Sequence, residues 1–207
     1  MSGCSKYEPA KGMNSHGLFI FAYLNNYCCM KAESVTIEKM LSGGHPNSLG
    51  RTLEVVEIVL NDQNRLEELY QCYFSSDEVV RLRTSNAMKR ICKEHPDCLA
   101  PYLTRLLTEI SAIEQASTQW TLAQLFAMLD AYMTDTQLEY AKGLLRHNLL
   151  THRDWIVLNM TMETLGKWAR QDEELRTWLW PELERLQMDN RKSVSNKASK
   201  LLKAGKS

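Results

Sequence analysis

The sequence predicts an all-α protein built from helical hairpins that stack along the chain. Residues 99–106 (LAPYLTRL) return eighty positions later as residues 179–186 (LWPELERL), with Leu, Pro, Leu, Arg and Leu in matching places. Eighty is twice forty, and a period of about forty residues is typical of two-helix solenoid repeats. No long alternation of β-branched residues predicts a strand. We therefore expect a right-handed α-α superhelix, a solenoid of about four helical pairs.

The composition argues against several classes of protein. The 207 residues include 25 Lys and Arg against 25 Asp and Glu, so the formal net charge is zero, whereas a nucleic-acid-binding domain is usually basic. No apolar run approaches the ~18 residues that span a bilayer. The six cysteines lack the spacing of a disulfide framework, so we expect reduced thiols in a cytoplasmic protein with no membrane partner.

The first part of the chain differs in character from the rest. Residues 1–29 mix Gly, Ser, Lys, aromatic residues and Cys without a helical period, so we predict an irregular segment. Met30 precedes a plausible helix over residues 31–41, and one hypothesis is that Met30 is the natural start and the residues before it are an extended gene prediction. The predicted domains are therefore the N-terminal segment 1–29, a short helix and Gly-rich loop over 30–48, and a helical repeat domain over 49–207.

From residue 49 onward a helical period of apolar residues dominates. Helices over 49–61 and 64–75 form the predicted N-terminal cap of the stack. Asp77 can cap the next helix, over 78–93, whose apolar residues share one face. A break at His95-Pro96-Asp97 precedes a second amphipathic helix, which completes an αα-hairpin. Further helices are predicted over residues 118–133, 136–149, 154–170, 173–187 and 192–203.

The run Asp77-Glu78-Val79-Val80-Arg81, followed by Ala87 and Met88, resembles the second helix of a HEAT repeat. Asp77 and Arg81 are four positions apart and should face each other, and the resemblance implies that such a pair forms a ladder between neighbouring repeats. Anchors at intervals of 40, 36 and 38 residues continue the period at Val80, Trp120, Ile156 and Val194.

The resemblance covers about residues 49–204 and is nearest to small uncharacterised bacterial HEAT-repeat proteins (armadillo-like helical solenoids). That group offers no catalytic residues to carry over. HEAT-like stacks present the second helix of each pair on a concave surface, so the resemblance implies a binding surface on helices 78–93, 118–133 and 154–170.

Charge on the first of these helices indicates where a partner binds. Residues 79–93 contain five basic and no acidic residues, and a helical wheel places Lys89 and Lys93 opposite the apolar face, with Arg83 and Arg90 on its flank. The alternative is an ordinary solvated helix face. Trp120 and Trp155 begin two later second helices, where they either anchor a partner or pack between repeats. The predicted partner-binding residues are Arg83, Lys89, Arg90, Lys93, Trp120 and Trp155.

No motif predicts catalysis, a cofactor, a metal or a small-molecule substrate. Cys92, His95 and Cys98 have ligand-like spacing, but a closed zinc site needs four ligands. His147 and His152 flank a predicted turn, and no helical face brings them together. The leading prediction is thus a non-enzymatic adaptor or scaffold that binds another protein.

Nucleic-acid binding is the alternative function. It would use basic helix 79–93 and the basic C-terminal helix, since residues 185–207 contain seven Lys and Arg against Asp189 alone. In fold only, the chain resembles the alkylation-repair glycosylases built from HEAT-like repeats, and no catalytic residue of that family matches here. The zero net charge argues against this alternative.

Overall fold

The computed structural model describes residues 35–45 and 47–205, and every regular element in them is helical. The α-helices are α1 (Ile37–Leu41), α2 (Thr52–Asn61), α3 (Leu66–Gln71), α4 (Glu78–Glu94), α5 (Pro96–Leu99), α6 (Leu103–Thr108), α7 (Ala116–Leu129), α8 (Asp135–Thr151), α9 (Trp155–Trp168), α10 (Glu173–Gln187) and α11 (Lys192–Ala204). Short 3-10 turns lie at Gln63–Arg65, Cys72–Phe74, Ala100–Tyr102, Ile110–Ala112 and Asp130–Tyr132. Among these helices, none is long and apolar enough to cross a membrane.

The chain divides into two units, residues 1–36 and 37–207. The predicted irregular segment and the hypothetical start at Met30 lie outside the described residues. Of the helix predicted over residues 31–41, the described part is α1, which contacts α2 and α4. Helix α1 and the described part of the Gly-rich loop belong to the same unit as the later helices.

Five helices contact one another in chain order, and we call them the row: α2, α4, α7, α9 and α11. The segments between them pack against row helices, with α3 on α4, α5 on both α4 and α7, α8 on α9, and α10 on both α9 and α11. Each row helix therefore buries its apolar face against its neighbours along the chain.

The row helices α4, α7, α9 and α11 share a register that begins at their N-cap residues. These caps are 38, 39 and 37 positions apart, at Asp77, Gln115, Asp154 and Arg191. The third residue after each cap is buried, and these residues are Val80, Thr118, Val157 and Val194. The predicted anchors are therefore wrong, because Trp120 lies two positions after the buried Thr118 and Ile156 lies one position before the buried Val157. On α7 the buried place belongs to a threonine and not to the larger, half-buried tryptophan.

The side chains of Asp77 and Arg81, which their spacing predicts to face each other, do not bond to each other. The Asp77 carboxylate caps α4 by accepting a hydrogen bond from the Val79 backbone N–H at 2.8 Å. Arg81 instead donates from Nε to Gln115 Oε1 at 2.6 Å and from a terminal nitrogen to the Ser75 carbonyl at 2.6 Å. Because Gln115 is the N-cap residue of α7, Arg81 links the beginning of α4 to the beginning of the next row helix.

The internal sequence repeat supplies core residues to two helical segments that precede row helices. Its leucines are buried in both copies: Leu99, Leu103, Leu106, Leu179, Leu183 and Leu186. Pro101 lies in the 3-10 turn between α5 and α6, whereas α10 continues through Pro181. The eighty-residue repeat therefore marks a shared packing pattern rather than a shared helix geometry.

Candidate functional site

A groove of about 460 Å³ crosses three neighbouring row helices and contains three of the predicted site residues. Helix α4 contributes basic side chains, α7 contributes the middle, and α9 contributes the far wall. The groove is lined by Lys89, Arg90, Lys93, Gln124, Ala127, Met128, Met160, Glu163 and Thr164. We call this the α4–α9 groove.

The α4 wall of the groove carries three cations without an acidic partner. In the described part of the chain, no carboxylate lies within ion-pair distance of Lys89, Arg90 or Lys93. Arg90 is oriented by a hydrogen bond from Nε to Asn86 Oδ1 at 2.7 Å. Burial, and secondarily the positive charge of Arg90, lower the pKa of Lys89 from its usual value. This wall therefore has no carboxylate to balance its charge, and Lys89 on it is partly dehydrated, whereas Arg90 and Lys93 are exposed.

The middle and the far wall of the groove are less basic. Met128 and Met160 are both half-buried and give this part of the groove an adaptable apolar surface. The Thr164 hydroxyl is occupied, because it donates to the Ala123 carbonyl at 2.7 Å. Glu163 supplies a carboxylate on the far wall and forms an ion pair with Lys197 of α11 at 2.7 Å. The groove is thus basic on α4, apolar in the middle and acidic on α9.

The groove runs obliquely over the row. Counted from each N-cap, its lining residues lie at positions 12, 13 and 16 of α4, 9, 12 and 13 of α7, and 6, 9 and 10 of α9. Each successive helix contributes residues about one turn nearer to its beginning. The sequence analysis missed the six lining residues on α7 and α9, most of which lie nearer to their N-cap than the basic residues of α4 lie to theirs. The missed residues that shape the groove are Gln124, Met128, Met160 and Glu163.

Arg83 lies inside the protein, and its predicted place on an exposed flank is wrong. Its exposed fraction is 2%. Its guanidinium donates to backbone carbonyls of the loop that follows α1, at Leu41 and Gly43 (both 2.6 Å) and at His45 and Ser48 (both 3.1 Å). The planar fork of arginine suits this convergent set of oxygens. Arg83 therefore holds the loop in place and has no donor directed at a partner.

The two predicted aromatic anchors occupy different surroundings. Trp120 lies on α7 four positions before Gln124, so both residues share the face that forms the middle of the groove. Trp155 is 48% exposed at the first position of α9, on the same face as Asn159. Asn159 donates to the Ser193 hydroxyl of α11 at 3.1 Å, so Trp155 lies on the part of this face that is next to α11, two helical turns before Glu163 of the groove. Neither tryptophan lines the α4–α9 groove, but Trp120 lies one helical turn from Gln124, which does.

The structure shows how the described residues with metal-ligand character are placed. Among the described residues, no group of three or more His, Cys, Asp or Glu is placed to hold a metal ion. Burial raises the pKa of the Cys92 thiol to about 12, which disfavours the thiolate that metals require. His147 and His152, by contrast, line one polar pocket together with Glu114, which helical spacing alone did not predict. The packing of α8 against its neighbours brings them to the same pocket.

Comparisons with known proteins give no relative for this chain: no family model matches it, and neither the curated proteins nor the solved structures contain a match. The resemblance to HEAT repeats therefore rests on the residues of this sequence.

Proposed function

We propose that this protein is a HEAT-like helical-repeat adaptor that binds another protein in the α4–α9 groove. The observation that carries the proposal is the meeting of three unpaired cations, Lys89, Arg90 and Lys93, with Met128 and Met160 in one groove. Interfaces gain specificity from complementary charge and affinity from a desolvated apolar centre. The groove offers both.

The pattern of long-range hydrogen bonds supports a repeat architecture. Among the described residues, every hydrogen bond between residues more than twelve positions apart spans 29 to 42 positions. That separation equals about one repeat, and none of these bonds skips a repeat. A solenoid has this property because each unit contacts only its neighbours.

The cysteines support a reducing location for the adaptor. Cys72 and Cys92 are free and buried, and free thiols of this kind are typical of proteins in the reducing cytoplasm.

Nucleic-acid binding is the second candidate function, and the charges on α11 favour it. Lys192, Lys200 and Lys203 are exposed and have no carboxylate partner in the described part of the chain. Three other cations of the basic C-terminal stretch are already paired, as Arg185 with Glu182, Arg191 with Asp189, and Lys197 with Glu163. The positive charge available to phosphates is therefore smaller than the sequence indicates.

Site-specific photo-crosslinking in the cells that produce the protein tests the adaptor proposal. We would replace Gln124 in the middle of the groove with p-benzoylphenylalanine, and compare capture with and without nuclease. One companion variant carries Lys89→Glu, Arg90→Glu and Lys93→Glu. The matched control carries Lys192→Glu, Lys200→Glu and Lys203→Glu, which changes the net charge equally but leaves the groove unchanged.

The proposal expects a crosslinked protein that resists nuclease, persists in the α11 control and disappears in the groove variant. Capture that is indifferent to the groove substitutions would contradict it. Recovery of nucleic acid that the α11 substitutions abolish would establish the second function instead. Circular dichroism of both variants verifies that the charge changes leave the helices folded.

A further inference from the structure

We infer that the occupant of the α4–α9 groove is a short, extended segment of a partner protein that is acidic at one end and apolar next to it. The inference rests on the proposed function and adds the chemistry and placement of the bound segment. Its acidic end lies on α4, its apolar side chains lie over Met128 and Met160, and its far end, which is not acidic, lies beside Glu163.

The cations of the α4 wall are suited to bind carboxylates of the partner segment. Lys89 is half-buried next to Arg90, so its ammonium is partly dehydrated and feels a like charge, which together lower its pKa. A carboxylate placed between these two groups would restore the lost solvation and offset the repulsion. Lys93 extends the same wall by one helical turn and accommodates a second acidic residue.

The rest of the groove disfavours a uniformly acidic or phosphate-bearing occupant. Met128 and Met160 offer dispersion contacts and no hydrogen-bond donors. This surface suits apolar side chains, whereas a phosphate placed on it would lose its hydration without gaining a hydrogen bond. Glu163 lies at the opposite wall, where its negative charge repels an acid that continues across α9. A nucleic-acid backbone carries a charge at every residue and would meet this repulsion.

The oblique course of the groove determines the length of the segment. Adjacent packed helices lie about 8–10 Å apart, so the step from α4 over α7 to α9 covers about 16–20 Å. An extended chain advances about 3.3 Å per residue, which corresponds to five or six residues. The acidic and apolar parts therefore follow each other along the segment, rather than alternating.

Titration of the full chain with defined probes tests the inference. The first two probes are peptides of about ten residues in which Asp and Glu fill one half and Leu and Phe the other, one peptide for each chain direction. A third peptide has the same composition with acidic and apolar residues alternating, and a fourth probe is an oligothymidine of similar length. The readout is the methyl resonances of Met128 and Met160 in protein with labelled methionine methyl groups.

One of the two polarised peptides should shift both methyl resonances and bind at least about fivefold more tightly than the alternating peptide. The variant with Lys89→Glu, Arg90→Glu and Lys93→Glu should weaken it by at least about tenfold. Glu163→Gln removes the carboxylate of the far wall and also releases Lys197 of α11 from its ion pair, and both changes make this wall more tolerant of an acid. It should reduce the preference for the polarised peptide to about twofold or less.

Equal affinity for polarised and alternating peptides, no shift with any peptide, or tighter binding of the oligothymidine would each overturn the inference. The proposed function would survive the first two results if crosslinking of the partner protein in cells still required the groove cations. A failed crosslink with successful peptide binding would reject the cellular adaptor role while leaving the chemistry of the groove established.

Discussion

The Arg83 guanidinium lies so close to Gly50 that a Cβ atom on Gly50 would stand 2.9 Å from Cζ of Arg83. Gly50 also has a φ of +52°, in the left-handed region that favours glycine. The loop after α1 thus approaches Arg83 through a residue that has no side chain. Glycine is therefore required at position 50 for two separate reasons, backbone conformation and space.

Gly50→Ala should destabilise the protein more than Gly43→Ala does. Gly43 provides the control, since its φ is +71° and a Cβ atom there would meet nothing within 4 Å. Both substitutions impose the left-handed conformation on alanine, but only Gly50→Ala also displaces the Arg83 guanidinium. We expect the free energy of unfolding to fall by about 1–2 kcal/mol more for Gly50→Ala, as measured by urea denaturation. Equal losses of unfolding free energy in the two variants would show that the close approach of Gly50 to Arg83 does not affect stability.

Arg83→Lys should be a severe substitution although it preserves the charge. A lysine ammonium has three donors on one atom and cannot replace a fork that reaches four carbonyls. We expect a loss of about 2–4 kcal/mol in the free energy of unfolding, because a buried charge loses hydrogen bonds. Arg90→Lys on the exposed surface of the same helix is the matched comparison and should cost less than about 0.5 kcal/mol. A similar small loss for both would refute the structural role of Arg83.

Local signals explain what the sequence predicts well. The capping side chain of Asp77 and the apolar face that follows it are features of one segment, and the predicted helix 78–93 is observed as Glu78–Glu94. The predicted helix 173–187 matches α10 at both ends. Caps and helical periodicity depend on neighbours within four residues, so one sequence is enough to detect them.

Nonlocal packing explains what the sequence misses. A helical wheel places Arg83 beside the exposed cations, but its partners are carbonyls 35 to 42 positions earlier in the chain. Similarly, Trp120 resembles an apolar anchor in a linear alignment, whereas the buried position belongs to Thr118. The groove itself joins three helices at shifted positions, so the contribution of Met160 or Glu163 emerges only from the packing of these helices against one another.

Stability should depend on Glu67 in a restricted range of pH. A bidentate hydrogen bond from Arg105, at 2.7 and 3.1 Å, lowers the pKa of Glu67 from 4.5 to about 2. A carboxyl whose pKa is lower in the folded state stabilises the protein above its unfolded pKa, and this contribution disappears as the pH falls through the folded value. Because the pair is partly exposed, the contribution at neutral pH is below about 1 kcal/mol.

Glu67→Gln should therefore lower the free energy of unfolding at pH 7, and the difference from the unaltered protein should shrink between pH 4.5 and pH 2. Denaturant unfolding at several pH values measures this difference directly. Glu57→Gln is a suitable control because Glu57 is exposed on α2 and has no ion pair in the described part of the chain. A difference that persists unchanged at pH 2 would exclude the Arg105 pair as its cause.

Trp120→Ala and Trp155→Ala should separate an aromatic side chain that supports partner binding from one that does not. Trp120 shares a face of α7 with Gln124 in the groove, whereas Trp155 shares a face of α9 with Asn159, which contacts α11. We expect Trp120→Ala to weaken binding of the captured partner by about tenfold or more, as truncation of an interface aromatic commonly does. Trp155→Ala should change the same dissociation constant by less than about twofold, because this 48% exposed side chain lies two helical turns before Glu163, beyond the groove. Titration calorimetry with the purified partner measures both constants, and thermal unfolding of each variant separates binding from stability. The reverse ranking of the two variants would move the interface from the α4–α9 groove to the α9–α11 side of the row.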